Sequence, residues 1–158
     1  AHQGHEMVVR ALIELGADIN QARDDGTTPL CVAAHQGHEM VVRALIELGA
    51  DVNKTVDEGG TPLFIAAYQG NEAMVRALIE AGADINKALL DGGETPLFIA
   101  AHQGHEAAVR ALIELGADVS KAENNGVTPL SVAAQEGHTA IVQILRDAVL
   151  VQMRNLSL

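Results

Sequence analysis

Hydrophobic residues in this chain fall into short stripes at helical spacing. Val42, Leu45 and Ile46 lie on one face of a predicted helix, and charged residues follow the opposite face. The same stripe opens the chain, because residues 1–18 and 34–51 are identical. A short helix with one apolar stripe cannot bury that stripe alone, so the pattern predicts several such helices packed side by side.

The tripeptide Thr-Pro-Leu predicts the start of a second kind of helix. Its four prolines lie 33, 34 and 33 residues apart, at Pro29, Pro62, Pro96 and Pro129. Threonine before proline is the arrangement of a helix N-cap followed by proline at the first helical position. An alanine pair follows in every copy, and its small side chains allow neighbouring helices to approach closely.

Glycines divide these helices into units. The glycines that follow the Thr-Pro-Leu helix are Gly37, Gly70, Gly104 and Gly137. A left-handed residue at that place ends a helix, and the striped helix then begins at His38-Glu39 or its equivalent. Turn-rich residues lead on to the next Thr-Pro-Leu. Stacked pairs of helices would bury all the stripes in one continuous row, which is a solenoid.

This frame resembles the ankyrin repeat, a 33-residue unit that contains Thr-Pro-Leu-His-x-Ala. The resemblance implies an all-α, ankyrin-type solenoid of stacked helix-turn-helix units with projecting hairpin-like loops. The units run over residues 1–22 (partial), 23–55, 56–88, 89–122 and 123–158 (a C-terminal cap). Two departures stand out. The family's histidine is replaced by Cys31, Phe64, Phe98 and Ser131, and the stretch 86–93 carries one extra residue.

The two ends of the array are expected to differ. The first unit has no Thr-Pro-Leu helix, which suggests a fragment of a longer array. Arg146 replaces a stacking isoleucine in the last unit, as a terminal face requires, and the helix is expected to continue past it. Leu150, Met153 and Leu156 would then fold back on the array or contact another chain.

Charge narrows the choice of partners. There are 21 acidic and 10 basic residues, for a net charge of −11. This field repels phosphate backbones and anionic lipids, so we expect no nucleic acid or membrane partner and favour a basic protein surface. The single cysteine, Cys31, cannot form an internal disulfide, and no apolar run is long enough to span a bilayer. These features favour an intracellular, cytoplasmic location.

The polar motifs predict no catalytic site, cofactor or metal. His2/His5, His35/His38 and His102/His105 are spaced as His-x-x-His, but a glycine between the two residues puts them on different helices. The second histidines are expected to bond backbone groups where the striped helix begins. Carboxylate pairs at Asp24-Asp25 and Asp57-Glu58 lie in turns without a nucleophile. Glutamates and arginines four residues apart, such as Glu6-Arg10-Glu14, predict surface ion pairs within each striped helix.

The repeats differ from one another chiefly in their loops, where stacking does not fix the residue type. The family resemblance implies that the loop tips and the exposed face of the first helix line a concave groove that binds proteins. The candidate partner-binding residues are Arg23, Asp24, Asp25, Thr27, His35, Gln36, Val56, Asp57, Glu58, Tyr68, Gln69, Leu89, Leu90, Asp91, Glu94, His102, Gln103, Glu123, Asn124, Asn125, Gln135 and Glu136. Tyr68 is the expected aromatic anchor. Leu89 and Leu90 either contact the partner or pack beneath their own loop.

These observations predict a non-enzymatic module that binds a protein partner through an acidic, concave groove. The alternative is a structural spacer or self-stacking segment, which would associate end to end through the N-terminal half unit. An enzymatic role would require a catalytic domain elsewhere in a larger protein. The near-identity of the copies is also typical of a consensus-like array.

Overall fold

Nine helices form in the part of the chain that the computed structural model describes, which is residues 2–155, with side chains from His5 onward. They are α1 (His2–Glu14), α2 (Pro29–His35), α3 (Glu39–Glu47), α4 (Pro62–Gln69), α5 (Glu72–Glu80), α6 (Pro96–Gln103), α7 (Glu106–Glu114), α8 (Pro129–Gln135) and α9 (Thr139–Asn155). No strand occurs among these described residues. The predicted all-α class is therefore confirmed.

The Thr-Pro-Leu threonines cap the short helices, as predicted. Thr61 has extended backbone angles, and its hydroxyl accepts a hydrogen bond from the backbone N–H of Phe64 at 3.1 Å. The other three copies form the same bond. Thr128 also forms a capping box, because its own N–H donates to the Ser131 hydroxyl at 2.8 Å. Proline at the next position lacks an N–H that the helix could not have used.

The helices pack in two rows. The first row is α2, α4, α6 and α8, and the second is α1, α3, α5, α7 and α9, with each helix packed against the next in its row. Each first-row helix also packs against the helix that follows it in the chain. This is the predicted stack of helix pairs. Alanine pairs such as Ala66 and Ala67 are fully buried between the rows.

Large aliphatic side chains complete the core. Leu45, Leu78 and Leu112 come from the stripe of successive second-row helices, and Leu63 and Leu97 come from the Thr-Pro-Leu motifs. All five are essentially inaccessible to solvent. Burying a leucine side chain contributes about 1.5–3 kcal/mol, so the row of stripes is the main source of stability.

Asparagines join neighbouring units. The side-chain oxygen of Asn53 accepts from the backbone N–H of Asp84 at 2.7 Å, and its amide donates to the Gly82 carbonyl at 3.0 Å. Asn20 and Asn86 accept from the equivalent Asp N–H groups of the units after them. These contacts hold the linking segments in register, one unit against the next.

The last helix continues without a break past Arg146, as predicted, and Arg146 is exposed where other units have half-buried isoleucines. Leu150 and Met153 are largely exposed on α9, so neither is buried against the array. Leu156 lies outside the described residues. At the other end, the stripe of α1 is open to solvent, since Val8 is 59% exposed while the identical position Val41 is 8% exposed.

Candidate functional site

Four hairpin-like loops project between the helix pairs, and each turns at a glycine. Gly26, Gly59, Gly93 and Gly126 all have positive φ, a backbone conformation that residues other than glycine rarely adopt. The second loop is closed by a hydrogen bond from Val56 N–H to the Gly60 carbonyl at 3.0 Å. The first, third and fourth loops have an equivalent bond. The loop tips are therefore ordered turns.

The tips are also bonded to one another. Asp57 N–H donates to the Asp25 carbonyl at 3.0 Å, Leu90 N–H to the Glu58 carbonyl at 3.2 Å, and Asn124 N–H to the Gly92 carbonyl at 2.9 Å. We call the four tips joined by these three bonds the tip row; they comprise residues 24–25, 57–58, 90–92 and 124–125. Because each tip holds the next, the side chains on the row are presented in a fixed order.

The extra residue of the 34-residue spacing lies at the third tip and is Asp91. Leu90 donates to the preceding tip as Asp57 does, and Gly92 accepts from the following tip as Glu58 does. Asp91 is the additional residue between them. Its carbonyl accepts a hydrogen bond from the Asn124 side chain at 2.8 Å, so the insertion is tied to the fourth tip.

Most predicted site residues are exposed. The exposed ones are Arg23, Asp24, Asp25, His35, Gln36, Asp57, Glu58, Tyr68, Gln69, Leu90, Asp91, Gln103, Asn124, Asn125, Gln135 and Glu136. The half-buried ones are Thr27, Val56, Leu89, Glu94, His102 and Glu123. Leu89 is half-buried with Cδ2 near Gly60 of the preceding loop, whereas Leu90 lies over Gly59 of that loop and stays 66% exposed.

Negative charge is concentrated on the first three tips. Asp24, Asp25, Asp57, Glu58 and Asp91 are all exposed there, while the fourth tip carries two neutral asparagines. Hydrogen bonds from Thr27, first from its hydroxyl and then from its backbone N–H, lower the pKa of Asp25. This carboxylate is therefore held in its charged form. At the third tip, Glu94 is only half-buried, but one of its carboxylate oxygens is fully buried against Gly92.

The C-terminal ends of the first-row helices are tied to the following unit. Gln69 donates its side-chain amide to the His35 carbonyl, and His105 donates Nε2–H to the Tyr68 carbonyl at 2.8 Å. His138 bonds the His102 carbonyl in the same way, at 3.0 Å. These bonds fix the backbone that carries the exposed Tyr68 side chain.

The expectation for the second histidines was therefore wrong in one respect. His105 and His138 do bond backbone carbonyls, but those carbonyls belong to the preceding unit's first-row helix and not to the start of their own helix. Asn71 replaces histidine in the third unit and does cap its own helix, since its side chain accepts from Met74 N–H at 3.1 Å. The longer imidazole reaches across the gap that the asparagine does not span.

A cavity of about 370 Å³ opens where the first two loops meet α2 and α4. Five residues predicted for the site line it: Arg23, Thr27, His35, Gln36 and Val56. Three lining residues were missed, namely Cys31, Val32 and Ile65. We call this space the Cys31 cavity. The sequence signal that could have indicated it is the small cysteine at a repeat position where the next two units have Phe64 and Phe98.

The surface ion pairs form, but not all of them within one helix. Arg10 bonds Glu6 at 3.0 Å, as predicted. Its second carboxylate is Glu47 of the next unit, at 2.6 Å, rather than Glu14 of its own helix. Arg76 repeats the arrangement with Glu72 and Glu114. The prediction of a ladder confined to one helix was wrong, because stacking brings the neighbouring glutamate closer.

The described residues form no cluster of three or more histidine, cysteine or acidic side chains that could hold a metal ion. The expectation that a glycine separates the paired histidines onto different helices was wrong for His2 and His5, since α1 runs through both positions. The side chain of His2 lies outside the described set. Within residues 2–155, no helix is long and apolar enough to cross a lipid bilayer.

Comparison with known proteins adds one match. A family model described as ankyrin repeats, in three copies, matches residues 1–89 and again residues 87–154. A search of curated proteins found no match for the chain.

Proposed function

Because this chain belongs to the ankyrin repeat family, whose members are in general protein–protein interaction modules, we propose that it binds a partner protein through the tip row. The exposed ends of the first-row helices complete the binding surface, and the partner presents a basic surface to it. The family is a non-catalytic interaction fold, so binding is the whole of the proposed activity.

The observation that carries this proposal is the set of three backbone hydrogen bonds that join the four tips. Ordering flexible loops upon binding costs free energy, and loops that are already ordered avoid that cost. The tip row can thus offer many exposed side chains to a partner without first having to fix their backbone.

Charge supports a basic partner. Asp24 and Asp25 on the first tip and Asp57 and Glu58 on the second are all exposed. Complementary charge speeds association and disfavours partners of the wrong sign. An acidic surface of this kind, in a chain with a net charge of −11, favours lysine- and arginine-rich partners.

Tyr68 supplies an aromatic contact near the middle of the surface. Its side chain is 52% exposed, while its backbone carbonyl is held by His105. Tyrosine is one of the residue types enriched among those that contribute most of the binding energy in protein interfaces.

Charge reversal tests the proposal. The variant D57K/E58K is compared with E14K/E80K, which changes the net charge equally at two exposed glutamates ending α1 and α5. Proteins captured from cell extract by the wild type are quantified for each variant. We expect at least one captured protein to be lost with D57K/E58K and retained with E14K/E80K. Equal capture by both variants would rule out the tip row as the binding surface.

The open stripe of α1 favours a second candidate, which is end-to-end self-association. Leu12 is 53% exposed, whereas the identical position Leu45 is 1% exposed and packed in the core. A second copy that covered this face would bury the same side chains that stacking buries elsewhere. Sedimentation at two concentrations should then show association, and V8E/L12E should abolish it. A monomer at both concentrations would exclude this candidate.

A further inference from the structure

The Cys31 cavity lies at the junction between the second and third units, and small residue types account for the open space there. At the next junction along the array, Phe64 takes the place of Cys31, Ile65 takes that of Val32, and Leu89 takes that of Val56. Each replacement is larger. The thiol is itself buried, with Sγ 4.0 Å from the Lys54 carbonyl, and Cys31 lines the cavity.

We infer that the Cys31 cavity receives one large apolar side chain from a basic, extended segment of the partner protein. This inference rests on the proposed function and names the part of the surface that anchors the partner. The cavity has the size of a small ligand pocket, at about 370 Å³, and it opens between the first two tips.

The residues that line the cavity favour an apolar anchor, which is the partner side chain that fills the cavity. Val32, Val56 and Ile65 supply methyl groups to the lining, the cysteine thiol adds a weakly polar surface, and Arg23, Thr27, His35 and Gln36 complete it. A leucine, methionine or phenylalanine side chain can displace water from such a site without leaving a buried polar group unpaired. A lysine or arginine side chain there would lose its hydration and be repelled by Arg23, which also lines the cavity.

The acidic residues beside the cavity favour basic residues on both sides of the anchor. The tips on either side of the cavity carry Asp24, Asp25, Asp57 and Glu58, all exposed. A ligand that fills the cavity and also meets both tips must extend beyond the cavity in two directions. A peptide with basic residues on both sides of one apolar residue meets that requirement, whereas a compact small molecule does not.

The experiment uses a displayed library of random linear peptides, selected on the wild-type chain. Enriched peptides are synthesised, and each is also made with its apolar anchor changed to alanine. Affinities are measured for wild type, for Cys31→Phe, which borrows the ring found in the next two units, and for D57K/E58K. Thermal unfolding of each variant checks that it is folded, and the smaller change Cys31→Leu replaces Cys31→Phe should that variant unfold.

We expect peptides rich in lysine and arginine with one shared apolar position. Alanine at that position should weaken binding to the wild type by about tenfold or more. The filled Cys31→Phe cavity should bind the parent peptide as weakly as its alanine version. Equal affinity of wild type and Cys31→Phe for the parent peptides overturns the anchor while leaving the groove intact, provided that D57K/E58K still weakens binding. Failure of D57K/E58K to weaken binding, or no enriched peptide at all, overturns the proposed function as well.

Discussion

His105 donates Nε2–H to the backbone carbonyl of Tyr68 across 2.8 Å, and so joins the second helix of one unit to the first helix of the unit before it. The imidazole also covers Gly70, where an added Cβ would lie only 2.5 Å from the ring. His138 and Gly104 form the same pair one unit later. His105 and His138 thus form contacts between units, and each is bonded to the first-row helix of the preceding unit.

Gly70→Ala should destabilise the protein more than Gly37→Ala. Both glycines have φ of 71°, so alanine at either position must adopt a left-handed conformation, which costs about 1–2 kcal/mol. Only Gly70 lies beneath a described neighbour, and the clash with His105 should add about 1–3 kcal/mol. Urea denaturation measures both. The double variant G70A/H105A should recover the clash term, and equal losses for the two single variants would contradict this account of the histidine.

Asn53→Ala should lower the free energy of unfolding by about 1–2 kcal/mol, because it removes two hydrogen bonds to the next unit. Ser120 occupies the equivalent position in a later unit and bonds Asp118 in its own turn. Ser120→Ala should therefore cost less, about 0.5 kcal/mol or under. Chemical denaturation compares the two. A Ser120→Ala loss as large as that of Asn53→Ala would show that the inter-unit bonds contribute little.

Thr61→Ala should destabilise by about 1 kcal/mol, since the buried hydroxyl that caps α4 is lost. Thr61→Ser keeps the oxygen and is the matched control, with a smaller expected loss. Thermal unfolding followed by circular dichroism measures both variants. If serine were as damaging as alanine, the methyl group rather than the cap would be the stabilising part of this threonine.

Thr27→Val should raise the pKa of Asp25, because the Thr27 hydroxyl is the largest cause of its lowering. A pKa that is lower in the folded than in the unfolded state stabilises the fold above the unfolded pKa, and this contribution is lost as pH falls through the folded pKa. For Asp25 that loss lies below about pH 4. Carboxyl chemical shifts in an NMR titration read the pKa directly, and an unchanged value in Thr27→Val would contradict the assigned cause.

Local rules predicted much of the fold. Thr-Pro-Leu and the glycines mark the helix ends because capping and positive φ depend on a few adjacent residues, as Thr61 and Gly70 show. The stripes predicted the buried faces, with Leu45 and Leu78 inaccessible as expected. The helical periodicity, together with the residues that begin and end each helix, was thus enough to predict the stacked-helix architecture.

Contacts between units were not predicted correctly, because they depend on how far apart the units stack. Arg10 was paired with Glu14 from their spacing of four residues, yet Glu47 of the next unit is the second partner. The Cys31 cavity was missed for a related reason. Cys31 belongs to the Thr-Pro-Leu helix of one unit, and the cavity beside it forms only when the adjoining loop and Ile65 of the next unit are placed around it.

The most direct test of binding through the tip row is the dissociation constant of one captured basic partner, measured for D57K/E58K and for E14K/E80K at the same ionic strength. Both variants change the net charge equally, so long-range attraction falls in both. Only D57K/E58K removes carboxylates from the tips. The tip-row account predicts that D57K/E58K binds at least about tenfold more weakly than E14K/E80K. Equal dissociation constants would contradict it.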